Sequence, residues 1–194
     1  DYAHASRSFE QALECAPRDP HYHAWLAGSL LLRGRLADVH RIVERGLQID
    51  PLDFELVMVQ LRLALIEQRW DEAIRHARFL IAEDADDERS AYWQIMLRLA
   101  QQRAGQAPSN RLLRNIDEAW PTPIWKTLVG QMSEAALVSV IAQLRSDVTQ
   151  RERLCEALFY LGEQRLAHGD TAGARLHFAL ATRMKILNYM EHGM

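Results

Sequence analysis

PRDPHYHAWLAGSLLLRGRLADVHRIVERGLQIDPLD, residues 17–53, carries its own punctuation: Asp19-Pro20 opens a first apolar run, Gly34 parts it from a second, and Pro51 and Asp53 close it. Aspartate followed by proline reads as an N-cap with proline at the first helical position, where its missing N–H costs nothing. Pro17 and Pro51 stand 34 residues apart, so the stretch is one helical hairpin of a repeating set. Two antiparallel helices cannot bury their apolar faces alone and must stack on the next pair.

Translation by the same period tests this register. One period earlier, Ala5, Phe9, Ala12 and Pro17 stand at the packing positions of a second helix. One period later, Phe54 to Asp87 places a turn near Gln68, and Arg69-Trp70-Asp71-Glu72-Ala73-Ile74 brings a small residue, Ala73, five places on. The phase is then lost and returns from Cys155 to Asn188, where Leu161-Gly162, Gly169-Asp170, Ala174, Phe178 and Ala181 repeat the pattern. In this register Cys155 is expected to open a helix. Gly162, Ala174 and Ala181 are small because packed helices approach to about 8–10 Å between axes. Asp53, Asp71 and Asp87 precede further helical runs, and no stretch alternates with a strand's period of two, so the chain reads as all-α.

Residues 104–152 fit the pattern least. Ala104 to Asn110 is a loop by composition, Trp120-Pro121-Thr122-Pro123 breaks a helix, Ile124 to Val129 is expected as a short helix ended by Gly130, and Ser133 is expected to cap a helix reaching about Arg145. The expected organisation is a single array: regular repeats over 1–103, a degenerate helical repeat over 104–152, and a C-terminal repeat over 153–194. The chain is also expected to be a piece of a longer polypeptide.

A hydrophobic content of 48% over 194 residues is enough for a large elongated core. A net charge of −3 argues against a nucleic-acid surface, and no run of about 18 apolar residues offers a membrane span. Cys15 and Cys155, the only cysteines, are not expected to pair.

Chemistry-bearing residues are present without a convergent arrangement. His21 and His23 are two apart and so point to different sides of a helix, and His4 and Cys15 do not complete a ligand spacing, so no metal or cofactor is expected. Cys155 beside Glu156 could be a nucleophile, but His168 and His177 fall where they should not meet it, so no catalysis is expected. The acidic run Glu83 to Glu88 suits the positive end of the helix after it. Trp25, Trp93, Trp120 and Trp125 read first as packing residues, with Trp120 and Trp125 held as secondary surface candidates because they sit in the irregular segment.

The 34-residue pattern resembles the tetratricopeptide repeat family, which implies a right-handed helical-hairpin solenoid with one degenerate repeat in the middle. The resemblance further implies a concave groove lined by first-helix residues. Those residues are His21, Ala24, Gly28 and Leu31, then Glu55, Met58, Arg62 and Leu65, then Arg89, Tyr92, Met96 and Leu99. Met58, Arg62, Leu65, Arg89, Tyr92 and Met96 are the expected binding residues for a protein or peptide partner. The C-terminal 75 or so residues from Trp120 carry Phe159-Tyr160-Leu161-Gly162, Gly169-Asp170, Asn188-Tyr189 and Glu191-His192, and resemble the last repeats of the NlpI family of bacterial outer-membrane lipoproteins. That resemblance implies a dimeric envelope adaptor. The expected function is therefore a non-catalytic interaction scaffold; the alternative is a regulatory or positioning repeat domain of a larger bacterial enzyme or secretion component, and a free secretion chaperone is a third reading.

Overall fold

The computed structural model describes residues 2–83, 90–108 and 119–184, and among these it is all-helical. The chain divides between residues 83 and 84 into two compact units.

The first unit comprises α1 (Tyr2–Cys15), α2 (Pro20–Leu31), α3 (Leu36–Leu47), α4 (Phe54–Ile66) and α5 (Trp70–Glu83). Helix starts follow the local chemistry. The Asp19 carboxylate accepts from the His21 N–H at 3.0 Å with Pro20 in the first turn, and the Asp53 carboxylate accepts from the Leu56 N–H at 2.8 Å. The two interhelical turns have left-handed residues at equivalent places: Gly34 at φ 69° and, 34 residues on, Gln68 at φ 58°. Glycine adopts that conformation freely, whereas Gln68 holds it at a cost of roughly 1 kcal/mol.

Packing follows from the distribution of apolar residues. In α3, Val39, Ile42, Val43 and Gly46 are buried at i, i+3, i+4 and i+7 while Arg41, Glu44 and Arg45 stay in water, giving a one-faced helix. Helix α4 is apolar on nearly all sides, with Leu56, Val57, Val59, Leu61, Leu63 and Ala64 buried, because it packs against α2, α3 and α5 together. Helix α2 packs against α1, α3 and α4 in the same way. Gly46 permits a close approach: a Cβ there would lie 2.6 Å from Leu56 Cδ1 and 2.9 Å from His23 Cβ.

The second unit comprises α6 (Ser90–Arg103), α7 (Thr122–Leu128), α8 (Glu134–Ala142), α9 (Asp147–Ala167) and α10 (Thr171–Arg183). Helix α9 is central and packs on α6, α7, α8 and α10. Ile95, Leu99, Ile124, Trp125, Leu128, Leu137, Ile141, Tyr160 and Leu161 form its core. Gly162 lets α10 approach, since a Cβ there would meet Phe178 at 2.6 Å. Gly169 takes φ 81°, and Asp170 caps α10 by accepting from the Gly173 N–H at 2.9 Å.

Three boundaries differ from expectation. Helix α9 does not open at Cys155 but two turns earlier, where the Ser146 hydroxyl accepts from the Thr149 N–H at 3.3 Å. No glycine or proline stands between 147 and 154 to stop it, so the expected boundary at 152/153 falls inside a continuous helix of 21 residues. Helix α8, capped at Ser133 as expected, ends at Ala142 and not near Arg145. Asp71 lies within the first turn of α5 and does not precede it. Arg89, Asp87, most of the acidic run 83–88, the loop end at Ser109 and Asn110, and Asn188-Tyr189 and Glu191-His192 lie outside the described residues.

Candidate functional site

In the first unit the expected binding positions form a stripe on α4. Glu55, Met58, Arg62 and Leu65 are all half-buried. Their spacings of three, four and three residues keep them on one side of a helix that turns 3.6 residues at a time. Helix α2 packs on α4, so the equivalent α2 positions lie beside them. There His21 is exposed, Gly28 is half-buried, and Ala24 and Leu31 are buried.

Trp25, which reads in the sequence as a packing residue, is the exposed aromatic of this unit, with 47% of its surface accessible. It is nevertheless held. The His21 imidazole stacks on it at 6.3 Å between centroids, Tyr22 meets it edge-on at 5.6 Å, and Phe9 of α1 lies at 5.8 Å. The only sequence signal is its i+4 relation to His21, which puts the two rings on one face.

In the second unit the candidates turn inward. The Tyr92 hydroxyl donates to the Glu156 carboxylate, at 3.3 Å to one oxygen and 3.1 Å to the other, and the Trp120 indole N–H donates to the same carboxylate. Arg153, one turn earlier on α9, lies 3.7 Å from that carboxylate, donates to the Tyr92 hydroxyl at 3.4 Å, and spreads its guanidinium over the Trp120 ring at 4.8 Å. Glu156 itself is fully buried. A carboxylate without water is tolerable only when paired and hydrogen-bonded, and this constellation supplies both.

Trp125 is also core: it is 3% exposed, with the Arg98 guanidinium 5.9 Å from its ring. Arg98 and Gln164 both donate to the Leu128 carbonyl, at 3.2 and 2.6 Å. Met96 is completely buried. Exposure at Met96 and Trp125, on which their candidacy rested, is therefore absent, and Trp120 and the Tyr92 hydroxyl are engaged by Glu156. The physical reason is the size of an indole, which buries about 150–250 Å² and, once buried, needs an acceptor for its N–H. Glu156 is that acceptor for Trp120, 36 residues away in sequence, and no local pattern signals such a partner.

The possible reactive groups do not converge. Cys155 is buried and directs its thiol to the Ala181 carbonyl at 3.7 Å. His168 Nδ1 is engaged by the Gln164 carbonyl, and His177 by the Gly173 carbonyl, with its Nε2 3.7 Å from Glu134. His23 is buried with Nδ1 2.9 Å from the Asp19 carbonyl. Among the described residues, no three His, Cys, Asp or Glu side chains are grouped to hold a metal, and no helix is long and apolar enough to cross a membrane. Both cysteines are free thiols, Cys15 exposed and Cys155 buried. No family model matches the chain.

Proposed function

We propose that this chain is a non-catalytic protein-binding scaffold of the tetratricopeptide type, a right-handed solenoid that receives a peptide or helix on the face shared by α2 and α4. The observation that carries this reading is the 34-residue translation of α2 and α3 onto α4 and α5. Their capping aspartates, Asp19 and Asp53, and their left-handed turn residues, Gly34 and Gln68, recur at one register. Repeats of this kind offer a surface, not a reaction centre, and Met58, Arg62 and Leu65 with the neighbouring His21 and Trp25 are the side chains through which it acts. The resemblance of the C-terminal part to an envelope lipoprotein family supports a bacterial adaptor as the biological setting, with a homodimer as the form to look for.

A fully buried Met or aromatic side chain contributes roughly 1.5–3 kcal/mol to association. Met58→Glu is therefore expected to weaken a captured partner at least tenfold, measured by biolayer interferometry, with the helical circular dichroism unchanged. Equal weakening by Arg75→Glu, on an exposed position of α5, with Met58→Glu neutral, would place binding elsewhere.

A further inference from the structure

The period that repeats α2 and α3 as α4 and α5 also carries α1 onto α3, and burial does not follow it everywhere. Ala5, Phe9 and Ala12 on α1 are half-buried, whereas Val39, Val43 and Gly46, 34 places on, are buried on α3. Tyr22 on α2 is half-buried and Trp25 is 47% accessible, whereas their copies on α4, Leu56 and Val59, are 0% and 2% accessible. Spacings of four and three residues on α1, and of three on α2, keep each set on one side of its helix. The five positions are one seam between neighbouring helices, covered in the α3–α4 copy and open in the α1–α2 copy.

What covers the α3–α4 copy is a helix of this chain. Helix α2 packs against both α3 and α4, and a Cβ on Gly46 would lie 2.6 Å from Leu56 Cδ1 and 2.9 Å from His23 Cβ, so α2 enters the seam at His23. Ala27 and Leu30 follow His23 at i+4 and i+7 on the same side, and both are buried in the core cluster that holds Val39, Val43, Leu56 and Val59. The occupant of the covered copy is therefore one helix with an apolar stripe. In the open copy the floor is more aromatic: Phe9 of α1 lies 5.8 Å from Trp25, and Tyr22 meets Trp25 edge-on at 5.6 Å. Three rings already in contact across both helices lose little further freedom when a ligand arrives, and aromatic side chains are prominent among binding hot spots.

We propose that the α1–α2 seam binds an amphipathic helix of a partner protein, in the place that α2 takes on α3 and α4. Its walls are helices whose backbone groups are already paired, so an extended ligand would lay unpaired N–H and C=O groups on apolar side chains and turn alternate residues away from the surface. A helix satisfies its own backbone and presents one continuous stripe. Ala12 stands where the covered copy has Gly46, and Tyr22 where it has Leu56, so the ligand residue that faces them is smaller than the imidazole of His23. The stripe expected of the ligand is Gly, Ala or Ser at i, with apolar side chains at i+4 and i+7. This seam rests on the 34-residue register and not on binding at Met58, and Trp25 is the residue it shares with the α2/α4 face.

The test is selection of a displayed library of single-helix peptides, randomised along one face, on the folded chain, followed by fluorescence anisotropy with synthetic copies of the enriched peptides. The expected result is enrichment of that stripe, with a gain of helical circular dichroism on mixing peptide and protein. Trp25→Glu and Ala5→Glu should each weaken binding about tenfold or more, while Met58→Glu leaves it unchanged. Trp25 is exposed and Ala5 half-buried, so both variants are expected to fold, and a thermal melt of each without peptide checks it. Three outcomes overturn the proposal: no enrichment on protein with intact circular dichroism, enrichment without the stripe, or enriched peptides indifferent to both variants. Loss of binding on Met58→Glu with Ala5→Glu neutral also overturns it, and would assign the peptides to the α2/α4 face.

Discussion

Leu56 on α4 and Glu156 on α9 are both wholly buried, yet one is hydrocarbon and the other a carboxylate. Leu56 closes over Gly46, where a Cβ would lie 2.6 Å from its Cδ1, and asks of its neighbours only space and shape, with no donor or charge to satisfy. Glu156 is served by Tyr92, Trp120 and Arg153, none of which has a counterpart in the first unit, and it ties the entrance of α7 to α6 and α9. Apolar contact is non-directional and survives repetition, whereas a buried charge demands particular donors at particular distances. The irregular helices α7 and α8 are tied into the second unit beside that requirement.

The largest expected effect follows from it. Glu156→Ala leaves the Trp120 N–H, the Tyr92 hydroxyl and the Arg153 guanidinium without their shared acceptor and is expected to cost about 3–5 kcal/mol, read from urea unfolding followed by tryptophan fluorescence. Glu156→Gln keeps an acceptor oxygen and should lose less. A Glu156→Leu chain as stable as the original would mean that the polar cluster contributes no more than hydrocarbon does, and the contrast between the units would collapse.

Next in size are the close helix contacts, where the units should behave alike. Ala73→Leu in α5 and Gly162→Leu in α9 each place a branched side chain where none fits, at an expected cost of about 1–3 kcal/mol by overpacking. Thermal melts of the two variants decide it. A cost at Gly162 with none at Ala73 would show that the regular unit can slide and the irregular one cannot.

Smaller, and of opposite sign, is Gln68→Gly. Relief of a left-handed backbone is partly offset by the greater freedom of glycine in the unfolded chain, leaving an expected gain of up to about 1 kcal/mol in the first unit. An unchanged midpoint in urea would mean that the Gln68 turn is not strained relative to Gly34.

The subtlest effect separates the units by pH. Burial, with Arg75 beside it, holds the His76 imidazole below its ordinary value of 6.5, so the unfolded chain binds a proton that the folded first unit refuses. Stability of that unit is therefore lost as pH falls below 6.5. Burial raises the Glu163 carboxyl above its ordinary 4.5, only partly opposed by Arg103, so the folded second unit takes up its proton first. That unit gains stability as pH falls toward 4.5. Hydrogen exchange resolved along the chain between those limits should show slopes of opposite sign, abolished by His76→Gln in one unit and by Glu163→Gln in the other. Parallel slopes would count against both assignments.

Much of the helix punctuation was legible because it is local. Asp19-Pro20, Gly34, the turn at Gln68, Ser133 and Gly169-Asp170 each act on backbone groups within a few residues, and the structure has them where the sequence put them. The start of α9 lies two turns before the place the translated register gives it, because residues 147–154 hold no breaker and Ser146 can cap. Of the expected binding residues, Met58, Arg62 and Leu65 form one half-buried stripe, while Met96 and Trp125 are core and Tyr92 and Trp120 serve Glu156.

By itself, then, the order of residues determined the all-helical class, the 34-residue period of the first unit and the conformation of its turns, because caps, proline and left-handed turns are settled over distances of one helical turn. Only the tertiary structure decided which aromatics face water. Whether Trp25 is exposed and Trp125 covered depends on which helices pack over them, and the acceptor for Trp120 comes from a residue 36 positions away that no periodicity connects to it.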